Sequence, residues 1–373
     1  MEHDASRPKW TFHPYEIALV GYQNSGKTTL AAKLIPLLGL SLAYIKRDAH
    51  RFDLDKPGKD THTLASAGAA SVFISDPAHR ALIRQKPLDL LGSLDFLEED
   101  AALVEGHKTS PLPRIVVLDQ DLTIVQDPAF RSQPPLAAVG PWTDRPRLPW
   151  PVPYFCRDNA PAVAAFIRSF WDTLTVQRPI LGLVLTGGKS TRMGKDKASL
   201  TYHGQEESSR VFGLLGEFCE QVFVSCRSDQ AQEPGRHGLP QIHDTLLGKG
   251  PLSGILSAFE VRPDATWLVA ACDLPRLDRA ALAALVAGRD PFKFATAFRG
   301  HQEFPEPLCA LYEPKARARL YQFLAAGYDC PRKMLINSPV KILAPLEGDR
   351  LVNINTPDEA AWLSQEAVHD HGR

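Results

Sequence analysis

From Ile17 onward the chain alternates short, continuous apolar runs with longer stretches whose apolar residues recur every three or four positions. Continuous runs of this kind read as strands covered on both faces, and the wider spacing reads as helix. In the first half the runs are 17–20 (IALV), 42–45 (LAYI), 71–74 (SVFI), 101–105 (AALVE) and 114–118 (RIVVL). In the second half they are 180–185 (ILGLVL), 221–225 (QVFVS), 266–271 (TWLVAA), 294–298 and 308–312. Helices fit between them, Ala280–Ala287 among them. Residues 134–153 contain Pro134, Pro135, Pro141, Pro146, Pro149, Pro151 and Pro153, too many for a helix or a central strand. The spacing then predicts a helix over Ala160–Leu174, with Val163, Phe166, Phe170 and Leu174 on one face. Thr175–Pro179 reads as a linker, because a new apolar strand and a second Gly-rich turn follow it. The expected architecture is α/β in two domains: a tail at 1–14, a mostly parallel sheet over 15–176, and a second α/β domain over 177–373.

Composition excludes several classes. Hydrophobic residues make up 44% and charged residues 23%, which is globular rather than disordered or fibrous. Lys+Arg is 42 against 43 for Asp+Glu, so the basic excess of a nucleic-acid binder is missing. No apolar run approaches the ~20 residues that span a bilayer. Met1–Lys9 has no apolar core of a secretory signal, so the expected location is the cytoplasm. The cysteines, at 156, 219, 226, 272, 309 and 330, form no CxxC pair and read as scattered reduced thiols rather than a zinc site.

Two segments bring chemistry. Residues 21–28 read G-Y-Q-N-S-G-K-T, which satisfies G-x-x-x-x-G-K-[ST]. The strand 17–20 precedes it, and a helix follows with Leu30, Leu34 and Leu37 on one face and Gly39 just past its end. Backbone N–H groups of such a loop turn inward on a phosphate, and the helix N-terminus adds partial positive charge. Gly21, Tyr22, Gln23, Asn24, Ser25, Gly26, Lys27, Thr28 and Thr29 are therefore candidate nucleotide contacts, with Lys27 on the β/γ-phosphates and Thr28 on Mg²⁺. Glu105, ending an apolar strand in V-E-G-H-K, is the candidate acidic group for Mg²⁺ or its water; the alternative is a solvated strand-end carboxylate. No N-K-x-D guanine motif is present, and D-L-L-G at 89–92 lies in an amphipathic stretch and reads as coincidence.

The second segment, 185–197, reads L-T-G-G-K-S-T-R-M-G-K-D-K. A strand ends at Leu185, two glycines follow, and Arg192 and Lys197 bring cations to the same loop, as a triphosphate requires. The alternative is a basic solvated loop. Asp273 follows the strand TWLVAAC, at the edge where open α/β sheets bind ligands, and is a natural oxygen ligand for Mg²⁺. The alternative there is a cap for the helix starting near Asp278, which has its own Asp.

The first half resembles the MobB family of molybdenum cofactor adaptor proteins that bind GTP. The resemblance lies in VGYQNSGKTTLAAKLIP, IKRDAHRFDLDKPGKDTHTLASAGA and LVEGHK, with Arg47 where the family often has His. The second half resembles the MobA family of molybdenum cofactor guanylyltransferases, through LTGGKSTRMGKDKASL, HDTLLGKGPLSGILSAF, ACDLP and NINTPDE. Together they imply a P-loop NTPase-like domain followed by a Rossmann-like nucleotidyltransferase fold of the nucleotide-diphospho-sugar transferase type. By motif, Leu185, Thr186, Gly187 and Gly188 would hold GTP, with Lys197 on its phosphates. Asp244 would lie near the nucleoside, Ser225 stands where the family often has Asn, and Asn353 and Asn355 would line the pterin side. Lys197, Arg192 and Asp273 would be catalytic, with Mg²⁺ on Asp273. Tyr202-His203-Gly204-Gln205 replaces the usual N-G-K-P.

The implied reaction joins GMP from GTP to Mo-molybdopterin and releases pyrophosphate. The phosphate nucleophile is already anionic near neutral pH and needs no general base. A molybdenum-insertion protein and acceptor apo-molybdoenzymes are the implied partners. Cytidylyltransferases acting on the same cofactor tend to read L-A-A-G, whereas this chain has Gly187 at the third place, where a purine can approach the backbone. The alternatives are such a cytidylyltransferase, a sugar-phosphate nucleotidyltransferase, in which Pro usually stands where this loop has Asp196, and a non-catalytic GTP-binding carrier.

Overall fold

The computed structural model describes residues 11–47, 57–84, 91–106, 111–131, 134–186, 206–300, 303–347 and 350–352. The chain divides into two compact units. One comprises Thr11–Leu97 and Ala101–Ala165; the other comprises Glu98–Asp100 and the described chain from Phe166 onward.

The elements of the first unit are β1 (Glu16–Val20), α1 (Lys27–Leu38), β2 (Leu42–Lys46), α2 (Asp60–Ser66), β3 (Ser71–Ser75), β4 (Arg80–Arg84), β5 (Ala101–Glu105), β6 (Arg114–Val117), α3 (Thr123–Gln126), α4 (Pro128–Arg131), β7 (Ala137–Gly140) and β8 (Tyr154–Cys156). Helix α5 (Ala160–Val176) begins in this unit. Six strands form one sheet in the order β2-β5-β1-β6-β7-β8, and every neighbouring pair is parallel. Strands β1 and β5 are buried along their whole length, as their unbroken apolar runs require. Helix α1 buries Leu30, Ala31, Leu34 and Leu38. The expected Leu37 is instead 47% exposed, because the helix keeps a four-residue step from Leu34. Gly39 ends it in the left-handed conformation at φ 61°.

The structure corrects other expectations here. The Pro-rich stretch contains β7, which lies between β6 and β8 inside the sheet. Its prolines leave Leu136–Gly140 untouched, which is enough for four paired residues. The run 71–74 is not covered on both faces: β3 pairs only with β4, in a two-stranded antiparallel ribbon whose Phe73, Ile74 and Leu82 are exposed. Helix α5 runs on through Thr175 and Val176, two residues expected in the linker.

The second unit contains β9 (Ile180–Leu185), α6 (Glu207–Gly216), β10 (Gln221–Cys226), β11 (Gln241–His243), α7 (Pro251–Val261), β12 (Thr266–Ala271), α8 (Arg279–Ala287), β13 (Ala295–Arg299), β14 (Pro305–Tyr312), α9 (Ala316–Ala325), α10 (Pro331–Ile336) and β15 (Lys341–Leu343). Its seven-stranded sheet has the order β11-β10-β9-β12-β14-β13-β15. All pairs are parallel except those of β14, which runs antiparallel to β12 and β13. Strand β9 lies between β10 and β12, so the chain moves outward through β10 and β11 and then returns to the other side of β9. A reversal of this kind is where open α/β sheets bind ligands, here at the carboxyl ends of β9 and β12.

All six cysteines are free; Cys226, Cys272 and Cys309 are buried, and burial pushes the Cys309 thiol up to about 12. Among the described residues no helix is long and apolar enough to cross a membrane.

Candidate functional site

The first site forms where β1 gives way to α1. Gly26 precedes the helix at φ 90°, and no side chain caps the first turn, which also lacks acidic residues. The N–H groups there are left for an anion. Lys27 Nζ folds back and donates to Tyr22 O at 2.7 Å, while the Tyr22 hydroxyl donates to Asp127 Oδ2 at 2.7 Å. Ser25 Oγ is buried in the loop with its hydrogen-bonding capacity unused. Arg157, just after β8, donates from Nη1 to Ser25 O at 2.8 Å. A Cβ on Gly26 would lie 2.6 Å from that Nη1, so the arginine and the loop backbone are in direct contact. Sequence reasoning missed Arg157, which carries no motif of its own.

Glu105 ends β5 in register with Leu19 of β1, beside the loop. Thr28 Oγ1 donates to Glu105 Oε2 at 2.9 Å, the Tyr44 hydroxyl donates to the same oxygen, and Lys46 Nζ lies 3.6 Å from Oε1. Burial alone would raise the carboxyl pKa. The two hydroxyl donors and the charges of Lys46 and Lys27 outweigh it and hold Glu105 below its usual value. Glu105 is 6% exposed, so the solvated-carboxylate alternative does not hold. An ionised carboxylate beside a Thr hydroxyl is a hard-oxygen donor set that fits Mg²⁺.

The second site lies at the carboxyl ends of β9, β10, β11 and β12. Thr186 donates to Ser225 O through both N, at 3.1 Å, and Oγ1, at 2.7 Å. Ser225 Oγ donates to Asp244 Oδ1 at 2.7 Å, and Asp244 N donates to Cys226 O at 2.9 Å. Burial raises the Asp244 pKa, against the Ser225 hydrogen bond and the charges of Arg227 and His243. Helix α7 closes on this group: a Cβ on Gly254 would lie 2.3 Å from Ser225 Oγ and 2.8 Å from Leu185 Cδ2. Ser257 and Ser253 of α7 accept from the backbone N–H groups of Thr245 and Leu246.

Leu185 O accepts from Cys272 N at 3.2 Å, which ties the start of the glycine loop to the residue before Asp273. Asp278, not Asp273, caps α8, accepting from Ala281 N at 2.9 Å. Asp273 Oδ1 is a buried oxygen. Glu306, near the start of β14, is 6% exposed and ion-paired with Arg332 at 3.3 Å. Burial and the charge of Asp273 raise the Glu306 pKa, against a backbone donor and Arg332. A carboxylate whose charge reaches a second, buried one at a sheet edge fits a divalent cation. Glu306 is a second residue that the motifs did not reveal. Among the described residues no three His, Cys, Asp or Glu side chains form a metal cluster.

The structure thus brings together Leu185, Thr186, Ser225, Asp244 and Asp273 in one place, and Gly21 to Thr29 with Glu105 in another. Gly187, Gly188, Arg192, Lys197, Asn353 and Asn355 lie outside the described residues.

The comparisons with known proteins match both places. The family model for the MobA-like NTP transferase domain matches residues 182–342. The family model for molybdopterin guanine dinucleotide synthesis protein B matches residues 16–140. A molybdenum cofactor guanylyltransferase of Xanthomonas euvesicatoria is 32% identical over 205 residues, 52% of this chain and 98% of that protein. A molybdenum cofactor biosynthesis bifunctional protein of Synechocystis is 39% identical over 189 residues, 50% of this chain. A molybdopterin-guanine dinucleotide biosynthesis adapter protein of Haemophilus influenzae is 35% identical over 117 residues, 29% of this chain. The matched segments span 54% of the Synechocystis protein and 65% of the Haemophilus protein.

Proposed function

This chain belongs to the MobA-like NTP transferase family and has a MobB domain ahead of the transferase, and from that premise we propose that it is a molybdenum cofactor guanylyltransferase with a fused GTP-binding adaptor. The observation that carries the reading is the hydrogen-bonded series Thr186–Ser225–Asp244, joined through Leu185 O to the strand end that bears Asp273. It supports a reading in which Thr186, Ser225 and Asp244 serve the nucleoside side and Asp273 the metal side of one loop start, at the reversal point of the sheet.

In this reading an oxygen of the molybdopterin phosphate attacks the α-phosphorus of GTP. A new P–O bond forms, the bond to the β-phosphate oxygen breaks, and pyrophosphate leaves with the electron pair. The nucleophile is already an anion, so no side chain has to remove a proton. Thr186, Ser225 and Asp244 hold the nucleoside end. By motif, Arg192 and Lys197 would supply positive charge to the triphosphate, and Asn353 and Asn355 would serve the pterin side. Mg²⁺ held by Asp273 neutralises phosphate charge when bound. The protein's own contribution is alignment of two anions and preorganised charge. Gly21 to Thr29 and Glu105 hold a second GTP in the adaptor domain. Such a protein works in the cytoplasm, between a molybdenum-insertion protein and acceptor apo-molybdoenzymes.

The test is incubation of the protein with Mg²⁺, molybdopterin-loaded protein and GTP or CTP in parallel, followed by mass identification of the dinucleotide. A guanine dinucleotide is expected. A cytosine product would reassign the base, and undiminished cofactor output from Asp273→Ala would favour a non-catalytic carrier.

A further inference from the structure

We propose that Arg236 is a positioning residue of the transferase site, fixing Thr186, and through it Ser225 and Asp244, in the geometry that receives the nucleoside. The inference rests on the reading that the loop beginning at Leu185–Thr186 holds the nucleotide.

Arg236 is one of the largest fully buried side chains of the protein, at 0% exposure. An arginine is seldom buried without partners, and here the partners are specific. Nε donates to Thr186 Oγ1 at 3.0 Å, Nη2 donates to Thr186 O at 2.6 Å, and Nη1 donates to Glu233 Oε2 at 2.9 Å. The guanidinium fork therefore grips both oxygens of one residue, a geometry that a lysine cannot reproduce. Because Thr186 Oγ1 accepts from Arg236, its own proton points elsewhere, and it goes to Ser225 O at 2.7 Å. Ser225 in turn donates from Oγ to Asp244. One buried cation thus sets a directional series across the ends of β9, β10 and β11.

The segment that carries Arg236 is itself pinned. Gln241 Nε2, on β11, donates to Ala231 O and to Arg236 O, both at 2.9 Å. Gln241 Oε1 accepts weakly from Cys226 Sγ at 3.6 Å, at the end of β10. The guanidinium is thus tied to the same strand ends that it organises. The proposed effect of Arg236 passes through Thr186.

The test uses the full chain with Arg236→Lys, Arg236→Met and Thr186→Val. Kinetic constants are normalised to the folded fraction. Loss of the fork should raise the KM for GTP about tenfold or more, the scale set by one or two buried hydrogen bonds, while the KM for the molybdopterin acceptor stays within about twofold. Thr186→Val removes the Oγ1 acceptor without touching the arginine and should reproduce part of the effect. Arg236→Lys combined with Thr186→Val should then fall short of additivity. An unchanged KM for GTP in all three variants, with only thermal stability lowered, overturns the proposal. If Arg236→Met fails to fold, Thr186→Val alone decides by the same criterion.

If the wild type transfers no guanylyl group, the functional reading has failed. The positioning role is then measured by fluorescent GTP-analogue titration in a Lys27→Ala background, which empties the P-loop site. Weaker binding on adding Arg236→Lys supports the role. Equal binding, or none in the Lys27→Ala background itself, overturns it.

Discussion

Gly254→Ala sets helix propensity against packing at the transferase site. The residue lies inside α7, where alanine is favoured over glycine by about 1 kcal/mol. Propensity alone therefore predicts a more stable protein. The new Cβ, however, would sit 2.3 Å from Ser225 Oγ, 3.1 Å from Ser225 Cβ and 2.8 Å from Leu185 Cδ2. The helix cannot back away at no cost, because Leu252, Ile255, Leu256 and Phe259 are buried along it. Ser225 must rotate, giving up its 2.7 Å bond to Asp244. Losing a hydrogen bond to a charged acceptor costs about 1.5–3 kcal/mol, and overpacking a core site costs about 1–3 kcal/mol. The net expectation is a loss of ~1.5–5 kcal/mol, or a Tm lower by roughly 3–20 °C for a unit of this size. The KM for GTP should rise as well, because the displaced groups are those proposed to hold the nucleoside. Thermal unfolding of the full chain reads the first effect and steady-state transfer the second. In a Ser225→Ala background the closest contact is gone, so the penalty for Gly254→Ala should shrink. A Tm for Gly254→Ala at or above wild type would refute the packing argument.

Asp273→Ala and Lys197→Ala should each lower guanylyl transfer by ~10² or more, as for lost preorganised charge, and near-wild-type rates in both would remove the assignment. Lys27→Ala should reduce GTP stoichiometry from two to one by titration calorimetry; a single site in the wild type would sink the two-site reading. Arg157→Ala frees Ser25 O and should weaken GTP binding at the P-loop roughly tenfold with transfer unchanged, measured by the same titration. Glu105 has a folded pKa below its usual 4.5, so the stability that it contributes is present above that value and is lost as pH falls through the folded one. Glu105→Gln should therefore flatten the acid limb of a Tm-versus-pH curve below pH 4.5, and parallel curves would contradict the assignment.

The loop Gly21–Thr28 was legible because its chemistry is contiguous: strand, turn, cation and helix start occupy one stretch of chain. The same holds for Asp273, two residues beyond a buried strand that is apolar except for Thr266. Glu105 was legible as a strand end but not as a partner of Tyr44, because their contact depends on β2 and β5 being neighbours. Arg157, Arg236 and Glu306 carried no signal for the same reason. Each is an ordinary charged residue whose meaning comes from what the fold sets opposite it. Strand β7 was obscured by the prolines around it, since a count over the whole stretch ignores where they fall. The exposed ribbon β3–β4 was misread because an apolar run of four looks alike in a covered sheet and in a two-stranded hairpin. On α1 the helical period was right, and only the phase of the last turn differed, giving Leu38 in place of Leu37.

The two sites place similar parts in different surroundings. In each, a loop leaves a strand and a carboxylate ends the strand alongside it. Glu105 is met by two hydroxyl donors and by Lys46, with Lys27 adding its charge, so its negative charge is answered by the protein itself. A site balanced in this way is suited to holding a nucleotide with little charge left to drive its turnover, and no water-orienting Gln is placed there by motif. At the second site the charge of Asp273 reaches the buried Glu306, which is ion-paired with Arg332. Like-charged carboxylates near each other favour a divalent cation between them. On the proposed function, the first site holds a nucleotide and the second transfers one, and the test of that division is whether Lys27→Ala and Asp273→Ala separate binding from transfer.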